Sequence, residues 1–372
     1  MKQFIILMLV LTSLSGCQSG SEKAYIESIR INENAINIKA INKSYSLNFN
    51  VTPSDADKND IVWISNNESI ATVKNGVIYG QHEGITTIYA TSRGKVLDTI
   101  EVNVSKYKLY SIGNSHTWDL EPKSSLVSLA KDMGVELQND WHINCNSSIE
   151  DSVRDPQRTC VSSKHGNYLS AINSEAYDAI TIQPFFSTTG AREVEAIKTL
   201  VSQIKSSASS SAKIYIYYTW PRNDEQSLND FNYSSTWSKT YYPHDQFENL
   251  NKDFIIYLKE ELEKSDLNIS GYIPAAETLN DFHSLAKEGK IGQYQGSGYL
   301  YRDNLHMNNV GKYIAGQTMV ATLFGHLELS ETPPTGYQVT GARGDKKVDT
   351  ELTRTIKALV SNRVKKRTLL SK

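Results

Sequence analysis

The sequence predicts two architectures in one chain: an all-β sandwich, then an α/β domain built on a parallel sheet covered by helices on both faces. Two observations carry this. Residues 25–105 alternate apolar and polar positions with period two, in short runs separated by turn signals. From Tyr107 onward, strand-like runs alternate with longer stretches of helical period, the pattern of a parallel sheet.

The chain begins with a short basic start, Met1-Lys2-Gln3, then an apolar run from Phe4 to Leu14, then Leu14-Ser15-Gly16-Cys17. The apolar run is too short to span a bilayer and reads as the core of a signal peptide. Its end resembles the lipobox of bacterial lipoproteins. That resemblance implies residues 1–17 as leader and lipobox, cleavage before Cys17, acylation of its sulfur, and an extracytoplasmic protein held to a membrane surface. The other reading is an ordinary signal peptide with an incidental cysteine.

Within 25–105, runs such as Tyr45–Val51 and Thr86–Ala90 alternate, and Thr52-Pro53-Ser54-Asp55, Asn66-Asn67, Lys74-Asn75-Gly76 and Glu83-Gly84 punctuate them. Short strands at regular spacing argue for a β-sandwich. The stretch from Val51 to Ser92 resembles a bacterial Ig-like domain of group 2 at Pro53, Trp63, Ser65, Ile70-Ala71-Thr72-Val73, Gly76, Gly80 and Gly84. The resemblance implies a spacer or adhesion module, with glycan binding as the alternative. No acid–base or metal constellation occurs in this segment.

In the second part, strands are expected at 108–113, 136–144, 177–183, 213–219 and 269–274. Helices are expected near 122–133, 191–207, 246–264, 276–288 and 309–324. The stripe Val194, Ile197, Val201 and Ile204 makes 191–207 the clearest. Ligands of such sheets bind at the carboxyl ends of the strands, which puts Gly113-Asn114-Ser115 at the functional edge. Cys145 and Cys160 are the cysteines left besides Cys17. In an exported chain an even pair suggests a disulfide, stabilising by about 3 kcal/mol for a loop of this length; two free buried cysteines are the alternative. Residues 327–372 form a C-terminal extension with a helical pattern at 348–366, whose basic stretch Arg363–Arg367 reads as a solvated helix end. The formal net charge of −2 leaves no electrostatic footprint for nucleic acid.

A serine hydroxyl is a poor nucleophile without a neighbouring base, and the base needs an orienting acid. Of the 8 histidines, only His306 has an acid three residues earlier, Asp303, in Leu-Tyr-Arg-Asp-Asn-Leu-His just before the last sheet-covering helix. Together these features resemble the SGNH (GDSL-like) hydrolase superfamily over residues 107–326. The resemblance implies a three-layer, flavodoxin-like domain with Ser115 as nucleophile, His306 as base and Asp303 as the residue orienting it. Asn114 stands where the common motif has Asp, and more readily supports the turn than takes part in chemistry. The resemblance implies oxyanion donors after the second and third strands. Asn146 or Ser147 falls near the first position, and Gln183 falls where the family has Asn. The bland readings are a turn residue for Asn146 and a loop-capping amide for Gln183. His116 follows the serine but adjacent residues do not face each other, so it is no base; it either touches substrate or packs.

The insertion after the fourth strand combines Trp220, Tyr233, Trp237, Tyr241 and Tyr242 with Arg222 and many amides. Aromatics with polar neighbours suit carbohydrate faces; the alternative is a loop packing its own aromatics on the scaffold. The expectation is an exported carbohydrate esterase working through an acyl-enzyme on an acylated carbohydrate or another small ester. The alternatives are an O-acyltransferase with the same triad and a non-catalytic glycan-binding protein. No metal or other cofactor is expected, because no His/Asp/Cys cluster has ligand spacing.

Overall fold

The computed structural model describes residues 24–41, 44–120, 122, 125–186, 189–224, 231–240, 247–325, 337, 344 and 346–370. The expected leader with Cys17, and Tyr241 and Tyr242 of the aromatic insertion, lie outside them. Among the described residues the N-terminal part has the strands β1 (Ser28–Ile31), β2 (Ile36–Lys39), β3 (Ser44–Ser46), β4 (Phe49–Thr52), β5 (Val62–Ser65), β6 (Ala71–Lys74), β7 (Val77–Gly80), β8 (Gly84–Ser92) and β9 (Lys95–Ser105). They form sheets ordered β2-β9-β8-β5 and β3-β7-β6 with a β1-β4 pair. Period-two alternation sends Ile78, Ile88, Ala90, Val102 and Val104 inward to a common core. Trp63 closes that core edge-on against Phe49, with ring centroids 5.2 Å apart.

The α/β part is built on β10 (Tyr107–Gly113), β11 (Leu137–Ile143), β12 (Ala179–Ile182), β13 (Lys213–Tyr218) and β14 (Gly271–Pro274). These strands are parallel and ordered β11-β10-β12-β13-β14. Counted within this sheet the order is 2-1-3-4-5, the flavodoxin-like arrangement. β12 is buried along its whole length and β13 everywhere past Lys213, as strands covered on both faces must be. The helices are α1 (Ser115–Trp118), α2 (Ser125–Asp132), α3 (Ile149–Arg154), α4 (Tyr168–Ser174), α5 (Gly190–Lys205), α6 (Tyr233–Ser238), α7 (Lys252–Glu263), α8 (Ala275–Lys287), α9 (Asn309–Phe324) and α10 (Thr350–Leu370). α2 packs on α9, and α3 packs on α5, which packs on α7. The chain order reverses between β10 and β12, the switch point where such sheets open a crevice.

The longest expected helices and all five strands fall within a few residues of their expected places. The helix expected from 246 starts later because Asn251 caps it, accepting from Phe254 N–H at 2.9 Å. α10 is part of this domain: Leu352, Ile356 and Val360 are buried, and it packs on α8 and α9. Arg363, expected in solvent, instead pairs with Asp281 through both carboxylate oxygens. The sandwich meets the α/β domain directly. β9 runs into β10 across Lys106, Ile41 bridges Val135, and Glu136 N–H donates to Ala40 O at 2.7 Å. Among the described residues no helix is long and apolar enough to cross a membrane.

Candidate active site

β10 delivers Ser115 to the crevice through a turn with no spare room. A Cβ on Gly113 would lie 2.3 Å from Thr117 Oγ1 and 2.7 Å from Gln183 Oε1, so the residue before the turn has to lack one. Asn114, in extended conformation, caps the one-turn helix α1: its Oδ1 accepts from His116 N–H at 3.0 Å. Its Nδ2 donates to Ser147 O at 2.9 Å, and its main-chain N–H donates to Gln183 Oε1 at 3.0 Å. Ser115 therefore starts a helix, half-buried, and its own N–H has no acceptor among the described residues.

The loop 301–307 brings the acid and the base to that serine. It is a tight hairpin closed by a Tyr301–Met307 bridge. Within it, Asp303 Oδ1 accepts from the N–H groups of Leu305 (2.8 Å) and His306 (2.7 Å). Partial burial pushes the Asp303 carboxyl up, but these donors and the His306 ring outweigh it and hold the group below its ordinary value. His306 Nδ1 lies 2.9 Å from Asp303 Oδ2, and its Nε2 lies 3.0 Å from Ser115 Oγ. A carboxylate at Nδ1 selects the Nδ1–H tautomer and leaves the Nε2 lone pair for the serine proton.

The segment after β13 braces this loop from the far side. Trp220 Nε1 donates to Leu305 O (2.8 Å), Asn223 N–H to Asn304 O (2.8 Å), and Tyr301 Oη to Pro221 O (2.6 Å). That corrects the reading of Trp220 as a sugar platform: it is fully buried. Trp237 is buried too, on α6, beside Tyr233, whose hydroxyl donates to Ala276 O at 2.8 Å. The insertion packs these aromatics inward, so neither tryptophan offers a face to a ligand. His116 is likewise buried, which corrects its expected contact with substrate. Its ring stacks on Trp220 at 4.8 Å and its Nδ1 meets Thr219 Oγ1 at 2.9 Å. Burial, and then the neighbouring His306, push its pKa down to about 3, so it stays neutral 6.2 Å from the His306 ring.

On the opposite side, Gln183 is buried beneath the turn. Its Oε1 accepts from Asn114 N–H and from Thr117 Oγ1 (3.2 Å), while its Nε2 donates to Pro184 O at 2.8 Å. An N–H can only donate, so the amide oxygen must face the turn; Gln183 clamps the elbow and its N–H2 points to Pro184. Asn146 turns the next loop with φ 52° and is exposed, with no hydrogen bond among the described residues tying it to Ser115. The disulfide between Cys145 and Cys160, with Cα atoms 5.7 Å apart, closes this loop.

Two acids absent from the sequence reading hold the site together. Asp119, one turn beyond Ser115, meets Arg302 at 2.8 Å and accepts from Met307 N–H at 2.8 Å. Burial pushes its carboxyl up while Arg302 opposes. Glu193, buried at the start of α5, accepts from the N–H groups of Ile149 (3.0 Å), Glu150 (3.1 Å) and Phe185 (2.8 Å), joining the loops after β11 and β12. Burial outweighs these three donors and pushes it up to about 7. Nothing local marks either residue, because Asp119 meets Met307 188 residues away and Glu193 meets Ile149 44 residues away. Trp118 was also missed. It is half-buried one turn after Ser115 and packs edge-on against Trp141 at 5.3 Å. Among the described residues no three His, Cys, Asp or Glu side chains group as a metal site requires.

Residues 26–101 match the bacterial Ig-like domain family, group 2. Among solved structures, a DUF4886 family protein from Bacteroides uniformis superposes with a TM-score of 0.45 at 14% identity, over 70% of this chain and 95% of its own. A Slackia heliotrinireducens protein, described provisionally as an SGNH hydrolase, gives 0.38 at 15% identity, over 59% of this chain and 100% of its own. A Bacillus subtilis protein gives 0.37 at 13% identity, over 67% and 65%. No curated protein matches the sequence.

Proposed function

We propose that the α/β domain is an SGNH-type serine esterase that deacylates a carbohydrate, with Ser115 as nucleophile, His306 as general base and Asp303 as its orienting acid. The observation that carries this is the unbroken relay from Asp303 Oδ2 through the imidazole to Ser115 Oγ, at 2.9 and 3.0 Å. Ser115 Oγ attacks the ester carbonyl carbon as its proton passes to His306 Nε2, and Asp303 stabilises the imidazolium. The Ser115 N–H, without an acceptor among the described residues, donates to the oxyanion. Collapse breaks the bond to the sugar oxygen, which takes the proton from His306 Nε2 and leaves as a hydroxyl, and an acyl-serine remains. Water then attacks with His306 again as base, and the acid departs with Ser115 restored.

Carbohydrate is favoured by Trp118, half-buried one turn from the nucleophile and propped by Trp141; an indole face suits the apolar face of a sugar ring. The Cys145–Cys160 disulfide supports an oxidising, extracytoplasmic location, in keeping with a leader and a lipid anchor on Cys17. The test uses protein lacking residues 1–17. It should release p-nitrophenol from p-nitrophenyl acetate and acetate from acetylated polysaccharides, and Ser115→Ala should lower both by at least about 1,000-fold. Equal rates for wild type and Ser115→Ala would end the triad assignment. Hydrolysis of the synthetic ester without acetate release from any acetylated polysaccharide would end the carbohydrate assignment alone.

A further inference from the structure

The nucleophile and the base sit on segments nearly two hundred residues apart, and something must set the gap between them. Among the described residues, the hydrogen bonds and ion pairs joining the serine turn to the loop 301–307 come from two side chains. One contact is the Ser115–His306 pair itself. The others all belong to Asp119.

Asp119 is 2% exposed and stands at the end of the serine turn, where its N–H closes the turn on Ser115 O at 2.8 Å. Its carboxylate then takes the base loop at both flanks. Oδ2 accepts from Met307 N–H and Oδ1 faces Arg302 Nη2, each at 2.8 Å. Arg302 completes the neck of that loop: its N–H donates to His306 O at 2.9 Å and its Nη1 to Met307 O at 2.7 Å. The two residues adjoining Asp303 and His306 are thus fastened to the residue that terminates the nucleophile's turn.

We propose that Asp119 is a positioning residue, which with Arg302 fixes the serine turn against the acid–base loop so that Ser115 Oγ and His306 Nε2 meet at bonding distance. This rests on the esterase reading above. Asp119 is 2% exposed and its carboxylate is committed to Met307 and Arg302, so it is given no proton-transfer role. A buried carboxylate bonded to a guanidinium and an N–H is sensitive to small changes: Asp119→Asn keeps the shape and one acceptor but loses the charge that meets Arg302.

The test measures kcat and KM for p-nitrophenyl acetate and the inactivation rate by a small fluorophosphonate, which reports serine activation with little contribution from substrate binding. Near-ultraviolet circular dichroism checks folding. Asp119→Asn should lower kcat and the inactivation rate together by about 100-fold with KM within about three-fold, the pattern of displaced reacting groups. Arg302→Met should do the same, and Arg302→Lys should recover at least about ten-fold of the loss. A folded Asp119→Asn inactivated within about three-fold of wild type overturns the proposal. If Asp119→Asn does not fold, Arg302→Met decides it by the same criterion. Wild-type protein inert to both reagents would instead overturn the esterase reading, and the positioning role with it.

Discussion

Gly113→Ala tests the serine turn where it has the least slack. The added Cβ would lie 2.3 Å from Thr117 Oγ1, 2.7 Å from Gln183 Oε1 and 2.8 Å from Gln183 Cβ. Thr117 and Gln183 are each 1% exposed, so neither can swing into solvent. The methyl either strains the packing, at about 1–3 kcal/mol, or displaces Gln183. Displacement strips the buried Asn114 N–H of its acceptor, at about 1–3 kcal/mol. By either route the predicted loss is about 1–3 kcal/mol, a large share of the stability of a typical domain. Urea unfolding followed by circular dichroism reads the stability, and p-nitrophenyl acetate hydrolysis per folded molecule reads the turn. The folded fraction should turn over at least about 100-fold more slowly, since Ser115 cannot keep its place while its neighbours retreat. Gly292→Ala is the control, because nothing lies within 4 Å of its Cβ position and no left-handed φ is required there. A Gly113→Ala protein as stable as this control, within about 0.5 kcal/mol, and fully active would refute the steric argument.

Trp118→Ala should raise KM for an acetylated oligosaccharide by about ten-fold while leaving p-nitrophenyl acetate hydrolysis within about three-fold, as expected when a stacking surface rather than the reacting group is lost; equal losses on both substrates would count against the sugar platform. Glu193, pushed up to about 7 by burial from an ordinary 4.5, keeps a proton that the unfolded chain has released across that interval. Its contribution to stability is full below pH 4.5 and is lost as pH rises through about 7, amounting to about 3 kcal/mol. Urea unfolding at pH 5 and pH 8 should therefore show a steeper decline for wild type than for Glu193→Gln, which has no carboxyl to titrate; parallel declines would contradict it.

The parts of this molecule that could be read in the sequence are those whose determinants lie close together. Strand and helix periods place β10 to β14 and the long helices because each is written in its own residues. Ser115 stands out for a similar reason: it follows a strand, after a Gly and a capping Asn. Asp303 and His306 stand out because three-residue spacing in a turn lets a carboxylate reach both the main chain and the ring. Short helices escape this logic. α3 and α6 are six residues each, too few for a period to register, although Ser148 and Asp151 spell a capping box at the start of α3. Burial of individual aromatics was not legible either. Trp220 and Trp118 have equally polar neighbours, and what separates them is that Trp220 follows directly on a buried strand and slides beneath the base loop. Asp119 and Glu193 belong to the same class, with partners 188 and 44 residues away.

Asn114 and Gln183, where the chain differs from the motif it resembles, belong to one arrangement. An Asp at 114 would still cap His116, but it could not donate to Ser147 O; it would set a negative charge against that carbonyl. Asn114 therefore adds a tether between the serine turn and the loop after β11, which the disulfide closes. An Asn at 183 would be shorter by one C–C bond, about 1.5 Å, and would fall short of the Asn114 N–H that Gln183 Oε1 now accepts at 3.0 Å. The longer amide reaches under the turn and spends its oxygen there, while its nitrogen faces Pro184. A side chain so committed gains rigidity for the nucleophile and is not free to turn toward an oxyanion. The charge that develops in the proposed reaction then falls to main-chain donors, the Ser115 N–H first among them. In the proposed reaction the side chain at 183 is thus spent on the turn, and the tethers at 114 hold the main chain that carries the Ser115 N–H.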